Sequence, residues 1–127
     1  MNQRGTGLPI SRDDQVEWFH QLAALSEGEL LAWAGTDYVS HLAEFVRNHV
    51  ADYSIPERAT PREIVALVVG LRGNESEWNH ALQAALIRAD DVKDTSRSEA
   101  KQMLRAFAVN CPWVLFKEVA VNQASWY

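Results

Sequence analysis

The sequence predicts an all-α fold, a compact single domain over residues 1–127 that is built as a bundle of about six or seven short helices. Apolar residues recur at intervals of three and four along the chain, and no segment alternates with a period of two. Hydroxyl residues stand three positions before an acid at Ser11, Ser26 and Thr60, the arrangement that caps a helix N-terminus. Glycine and proline otherwise fall at junctions, so these patterns favour helices over strands.

The helices follow in order from these signals. Residues 1–10 are predicted to form a loose segment before Ser11, which caps the first helix, and Ser26 caps the second. Thr60 and Pro61 begin the fourth, because proline at a first helical position loses no hydrogen bond. Arg-Gly-Asn at 72–74 is predicted to be a junction. The predicted helices are 12–25, 27–34, 37–53, 61–71, 75–90, 96–110 and 112–123.

The segment IVALVVGL at 64–71 is apolar on all sides. This pattern predicts a central helix that other helices cover. Its β-branched residues would also suit a buried strand, but the capping residue Thr60 and the following proline favour a helix.

Helix 37–53 is predicted to be half-buried, with an acidic ridge on its solvent side. Its apolar residues fall within about 80° of arc on a helical wheel. They are Val39, Leu42, Val46, Val50 and Tyr53. The opposite side carries Asp37, His41, Glu44, Asn48 and Asp52.

A faint internal repeat links the two halves of the chain. EWFHQLAA, which begins at Glu17, resembles EWNHALQA, which begins at Glu77. LAEFVRN at Leu42 similarly resembles LRAFAVN at Leu104. A real duplication would give two related helical hairpins, whereas short matches of this kind also arise by chance in helices rich in alanine and leucine.

Charge is distributed unevenly along the chain, whose net charge is −5. Residues 13–57 hold nine acids and one base, a net charge of −8, whereas residues 58–127 hold eight acids and nine bases. Such a field repels nucleic acid and anionic membranes and would steer a basic partner towards the N-terminal half. The alternative is that the acids serve solubility alone.

Composition predicts a cytoplasmic protein. The opening MNQRGTGLPI has no apolar run of signal-peptide length, and no run in the chain approaches the length of a membrane span. The single cysteine is compatible with a reducing compartment. Arg97, Lys101 and Arg105 share one helix side and would form a weak phosphate-binding stripe. The acidic isoelectric point of about 5.3 opposes DNA binding.

The two Glu-x-x-His pairs, Glu17 with His20 and Glu77 with His80, have a spacing that resembles that of ferritin-like di-iron bundles. In such a site Glu44 and either Glu99 or Glu118 would be the further ligands. The helical wheel directs Glu17, Glu77 and His80 away from the apolar stripes. We therefore expect no metal and no cofactor, and a small metal-binding helical enzyme is kept as an alternative function.

Cys111 stands before Pro112 and Trp113 and could be either a nucleophile or a buried apolar group. A helix N-terminus would lower its pKa, but no histidine stands in a motif that ties it to the thiol. We expect a structural residue at the start of the last helix, whose core stripe would be Leu115, Phe116 and Val119. The chain is therefore predicted not to be an enzyme.

Aromatic residues suggest anchors for a partner. Trp18 and Leu25 lie opposite the apolar stripe of the first helix, so they either pack on helix 27–34 or form an anchor ringed by acids. Trp126 and Tyr127 either dock back onto the domain or are offered to a partner.

In size, acidity and helical architecture the chain resembles bacterial toxin-immunity proteins, which neutralise basic nuclease toxins with an acidic surface. The resemblance rests on no matched motif. It implies a non-catalytic inhibitor whose partner is a basic toxin domain, without nucleic acid or membrane, and a helical regulatory or scaffold module is a further alternative. The expected binding residues are Glu27, Glu29, Asp37, Tyr38, His41, Glu44 and Asp52.

Overall fold

A computed structural model describes residues 8–127, which form six α-helices and no strand. The all-α prediction is therefore confirmed. The prediction of a loose segment at 1–10 falls mostly outside the described residues. The helices are α1 (Arg12–Ala23), α2 (Glu27–Ala34), α3 (Val39–His49), α4 (Pro61–Val92), α5 (Arg97–Asn110) and α6 (Val114–Ala124).

The predicted caps set the helix starts. The Ser11 hydroxyl accepts from the backbone N–H of Asp14 at 3.1 Å. Ser26 and Glu29 form a reciprocal capping box, with backbone-to-side-chain distances of 3.1 and 3.2 Å. Thr60 and Glu63 make the same exchange at 2.8 and 3.2 Å. Each pair satisfies backbone donors that have no partner within the helix.

The predicted junction at 72–74 is wrong, because α4 continues through it as one helix of 32 residues. Gly73 weakens a helix by only about 1 kcal/mol relative to alanine and keeps its backbone hydrogen bond. No proline follows it, so nothing forces an end there.

The predicted ends of helices 12–25 and 37–53 are also wrong, and so are the predicted starts of helices 37–53 and 112–123. α1 ends at Ala23, two residues early. α3 spans Val39–His49 because Val50 is extended and Asp52 adopts the left-handed region, with φ 59°. α6 begins at Val114 rather than 112, and its core stripe differs from the prediction. Val119 is 43% exposed, whereas Ala120 and Ala124 are buried.

The chain divides into two compact units, and the boundary between Gly73 and Asn74 lies inside α4. In the first unit α1 packs against α3. The rings of Phe19 and Phe45 stack with their centroids 4.6 Å apart. The imidazole of His49 also stacks on Phe45, with centroids 4.5 Å apart. The buried apolar side chains of this unit include Leu30, Leu42, Val46, Ile64 and Val68.

A buried polar pair accompanies this aromatic stack. The Gln15 amide nitrogen donates to the carbonyl of Pro9 at 2.8 Å, so its oxygen faces His49 Nε2, 2.7 Å away. His49 Nε2 therefore carries a proton and donates it to Gln15. The two side chains come from α1 and α3, 34 positions apart, and only 8% and 3% of their residue surfaces are exposed.

The second unit, Asn74–Tyr127, is centred on the packing of α5 against α6. Alanines dominate its buried clusters, which lets the helices approach closely. One cluster comprises Ala89, Ala100, Leu104 and Ala124, and the other Leu82, Ala108 and Ala120. Trp78 meets Phe107 edge to face at 5.7 Å, and the buried indole of Trp113 donates to Asn74 at 2.8 Å.

Candidate protein-binding surface

The acids of residues 13–57 are displayed to solvent. Eight of the nine are exposed and Glu44 is half-buried. The one base of this stretch, Arg47, is exposed as well. The surface formed by this part of the chain therefore carries a large excess of negative charge, as its composition indicates.

The seven predicted binding residues all lie in the first unit. Glu27 and Glu29 are on the first turn of α2, and Asp37 and Tyr38 lie in the turn between α2 and α3. His41 and Glu44 are on α3, and Asp52 is in the turn that follows it. The structure brings Tyr38 and His41 into ring contact, with centroids 5.6 Å apart. The other five predicted binding residues are spread over α2, α3 and the turns that follow these helices.

Local hydrogen bonds order the middle of this surface. Thr36 Oγ1 donates to the carbonyl of Trp33 at 2.7 Å and accepts from the backbone N–H of Tyr38 at 3.3 Å. The Ser40 hydroxyl donates to the carbonyl of Asp37 at 3.1 Å. The acid at Asp37 and the aromatic ring beside it are therefore held on a structured turn.

Asp52 occupies a backbone conformation that most side chains avoid. Its φ of 59° is left-handed, which aspartate tolerates better than bulkier residues because its short side chain bonds locally. The residue is exposed, so its carboxylate faces solvent at the end of α3.

The structure shows which of the aromatic residues considered as partner anchors pack on the protein and which are exposed. Trp18 is half-buried, with its ring 6.2 Å from that of Trp33 on α2 and 6.1 Å from that of Phe45. It therefore packs on the neighbouring helix, and Leu25 is 36% exposed. Tyr127 packs against the cluster of Ala89, Ala100, Leu104 and Ala124, whereas Trp126 is 71% exposed.

A groove that the sequence analysis missed lies between α2 and the start of α4. We call it the α2/α4 groove, and its volume is about 640 Å³. Its lining is Glu27, Gly28 and Leu31 from α2, with Arg62, Val65, Ala66, Val69 and Gly70 from α4. The prediction that 64–71 is covered on all sides is wrong, since Val69 is 61% exposed and Ala66 is also exposed. The feature of the sequence that could have indicated this groove is the pair of glycines within helices, Gly28 and Gly70.

Cys111 is buried, with 2% of its surface exposed, and lies at the C-cap of α5 rather than at a helix start. Its thiol donates to the carbonyl of Trp113 at 3.6 Å. Burial raises the pKa of the thiol above its ordinary value of 9.0. A reactive cysteine requires the opposite shift, so these surroundings hold Cys111 as a neutral thiol at neutral pH.

The Glu-x-x-His pairs lie largely at the surface. Glu17, Glu77 and His80 are exposed, and His20 is half-buried. Within residues 8–127, no three histidine, cysteine or acidic side chains are grouped so that they could hold a metal ion. No helix in this range is long and apolar enough to span a membrane.

The basic stripe on α5 borders a shallow groove of about 350 Å³. Arg97 and Arg105 are exposed, and Lys101 is half-buried. Arg105 lines the groove together with Lys117 of α6 and two exposed valines, Val109 and Val121.

The chain was compared with protein-family models, with curated proteins and with solved structures, and none of them matches it.

Proposed function

We propose that this protein is a non-catalytic inhibitor of the immunity type, which binds a basic toxin domain through the acidic surface of its first unit. The observation that carries the proposal is the excess of carboxylates at the surface of residues 13–57, eight exposed acids and one half-buried acid against one base. Solubility alone does not call for acids concentrated in one stretch, since residues 58–127 are nearly neutral.

Long-range attraction provides the first step of the mechanism. A surface potential of one sign raises the rate of encounter with an oppositely charged protein by about 10- to 1,000-fold at low salt. The attraction is screened over a Debye length of about 8 Å at physiological ionic strength. Binding by this surface is therefore expected to weaken as salt rises.

Short-range contacts follow at the turn between α2 and α3. Tyr38 and His41 form a ring pair next to Asp37, and both residues are half-buried. Aromatic residues surrounded by polar groups are typical of the centres of protein interfaces. On this proposal the carboxylates orient the partner and the ring pair supplies the apolar contact.

The proposal predicts that a basic toxin domain is encoded beside the gene for this chain, and the test uses that domain with its nuclease activity as the readout. The wild-type chain is expected to abolish that activity at a one-to-one ratio. The variant Glu44→Lys with Asp52→Asn should slow association by about 10-fold at low salt. Asparagine is chosen at 52 because it tolerates the left-handed conformation of that residue.

The matched control is Asp91→Lys with Asp94→Asn, which changes the net charge equally on exposed residues of the second unit. It should leave the association rate almost unchanged. A nuclease that stays active with excess chain would contradict the proposal. Equal association rates for the two double variants would contradict the surface assigned here.

A further inference from the structure

We propose that the groove between α5 and α6 binds an acidic apolar peptide, a segment of another protein that places apolar side chains between carboxylates. The α5/α6 groove has a volume of about 350 Å³, and it is lined by Arg105, Ala108 and Val109 of α5 with Lys117 and Val121 of α6. It lies within the second unit and contains none of the seven predicted toxin-binding residues. The α5/α6 groove is therefore independent of the proposed toxin-binding surface.

The apolar side chains of this groove are open to water. Leu82 of α4 packs with Ala108 and Ala120, which are buried. The next residue along each helix lines the groove instead, and Val109 is 79% exposed and Val121 is 53% exposed. An apolar group of a partner that covers these two valines removes their surface from water, which favours binding.

The charged residues that line the α5/α6 groove are both bases. Arg105 is exposed on the α5 wall and Lys117 is half-buried on the α6 wall, and no acid lines the groove. Among residues 8–127 neither base has an ion-pair partner. A basic partner would bring like charges together here, whereas carboxylates would face an opposite charge on each wall. Charge complementarity therefore selects a partner with acids on both sides of its apolar contact.

The basic stripe of α5 extends this positive charge beyond the groove. Arg97, Lys101 and Arg105 share one side of the helix, and Arg97 is exposed. The local field at this face of α5 is therefore positive, although the chain as a whole is acidic.

The exposed valines favour a peptide over a nucleic acid. Phosphate groups would neutralise Arg105 and Lys117 but would leave Val109 and Val121 in water. The repulsion from this chain, whose net charge is −5, also grows with the number of negative charges on the ligand. A segment with a few carboxylates meets less repulsion than a nucleic acid and covers the apolar side chains as well. A fatty acid has a single carboxylate, which would pair with only one of the two walls.

The first experiment titrates the isotope-labelled chain with a synthetic peptide and follows the backbone amide shifts by NMR. The probe carries two leucines between two pairs of glutamates, and its ends are acetylated and amidated. Shifts are expected at the residues of the α5/α6 groove and their neighbours, and the affinity should fall as salt rises. A peptide with glycines in place of the leucines should bind about 10-fold more weakly. A peptide with lysines in place of the glutamates should not bind.

Several outcomes of this titration would overturn the inference. The acidic peptide could cause no localised shifts at millimolar concentration, or the lysine peptide could bind as tightly. A short oligouridylate that binds the groove more tightly than the acidic peptide would show a phosphate site instead. Self-association of the chain through this groove, detected by sedimentation equilibrium, would show that the occupant is the acidic surface of a second copy and not another protein.

Removal of the two bases tests the charge complementarity. Arg105→Gln with Lys117→Gln should weaken binding of the acidic peptide by about 3- to 20-fold, because two partly exposed ion pairs are lost. Arg58→Gln with Arg88→Gln is the matched control, since it removes the same charge at exposed residues that do not line the groove. Equal affinities of the two double variants for the acidic peptide would reject the α5/α6 groove as the site.

A second pair of variants tests the apolar contact. Val109→Thr with Val121→Thr keeps the β-branched shape but replaces a methyl group by a hydroxyl, and it should weaken binding by about 3- to 10-fold. Val69→Thr with Val119→Thr is the matched control, because these valines are exposed but do not line the groove. The four valines are exposed, so both variants should unfold close to the wild-type denaturant concentration. Unchanged affinity in the groove variant would show that the valines do not contact the peptide, and it would overturn the inference.

Discussion

The contact between Gln15 and His49 joins two polar side chains inside an aromatic core. Its geometry fixes His49 as the donor from Nε2, 2.7 Å from Gln15 Oε1. The side chains come from different helices and each is polar, so no periodic pattern in the sequence indicates that they meet. The two buried groups satisfy each other's hydrogen bonds. Replacing one of them is costly in free energy, because the other group loses this hydrogen bond and still carries its desolvation penalty.

Gln15→Leu should therefore lower the free energy of unfolding by about 1–3 kcal/mol, as measured by urea denaturation. The substitution removes both the acceptor for His49 and the donor to Pro9. Gln21→Leu on the same helix is the matched control, because Gln21 is exposed and its side-chain amide donates to the nearby exposed Glu17 at 3.2 Å. Similar losses of unfolding free energy in the two variants would contradict a stabilising role for the buried Gln15–His49 pair.

Cys111 should make the stability of the fold sensitive to alkaline pH. Burial raises the pKa of its thiol, so the folded state holds the proton more tightly than the unfolded chain, whose thiol has an ordinary pKa of about 9.0. Below that value both states are protonated and the contribution is constant. As pH rises through the interval up to the folded pKa, the unfolded chain loses its proton first and folding becomes less favourable.

The comparison of wild type with Cys111→Ala isolates this effect from other titrating groups. The advantage of wild type in unfolding free energy should be constant below about pH 8 and should shrink as pH rises above 9. Urea denaturation in a series of buffers measures the difference. An advantage that stays level or grows between pH 9 and 10.5 would show that the thiol is not held protonated by the fold.

The three helix starts marked by a capping hydroxyl were predictable from the sequence, whereas the ends of α1 and α3 were not. Ser11, Ser26 and Thr60 set the starts of α1, α2 and α4 because a hydroxyl side chain satisfies a specific backbone donor. The end of α1 at Ala23 has no comparable signal, since Ala24 and Leu25 would continue a helix. Such ends depend on tertiary packing, and the sequence of one chain does not show that packing.

Gly73 in α4 illustrates the same limit and supports a prediction. Gly73→Ala should raise the free energy of unfolding by about 0.5–1 kcal/mol, because alanine restricts the unfolded chain and a Cβ at this position meets nothing within 4 Å. Thermal or chemical denaturation measures the gain. The reverse change at an exposed alanine of the same helix, Ala84→Gly, should cost a similar amount. A loss of stability in Gly73→Ala would mean that a glycine is required at this position of α4.

For the whole molecule, composition correctly indicated an acidic surface on residues 13–57 but could not locate the α2/α4 groove. Charged side chains are solvated almost wherever they fall, so their sum can be read from the sequence. A groove depends instead on how far two helices stand apart. Val69 lies in a segment that is apolar on every side, and only the arrangement of α2 and α4 leaves it exposed.

Self-repulsion among these acids predicts a response to salt. Raising sodium chloride from about 0.01 to 0.15 M shortens the Debye length from about 30 to 8 Å and should raise the thermal midpoint by about 2–5 °C. Neutralising two exposed acids, as in Asp37→Asn with Glu57→Gln, should reduce this gain. A midpoint that falls with salt would indicate that attractive ion pairs dominate the charge balance.

The unequal exposure of the five tryptophans gives the chain built-in optical reporters. Trp126 is 71% exposed and Trp113 only 4%, so a soluble quencher should extinguish the red edge of the emission before the blue edge. Trp18 and Trp33 belong to the first unit, and Trp78, Trp113 and Trp126 to the second. Replacing either set with phenylalanine would let fluorescence follow the melting of each unit separately, without an added dye.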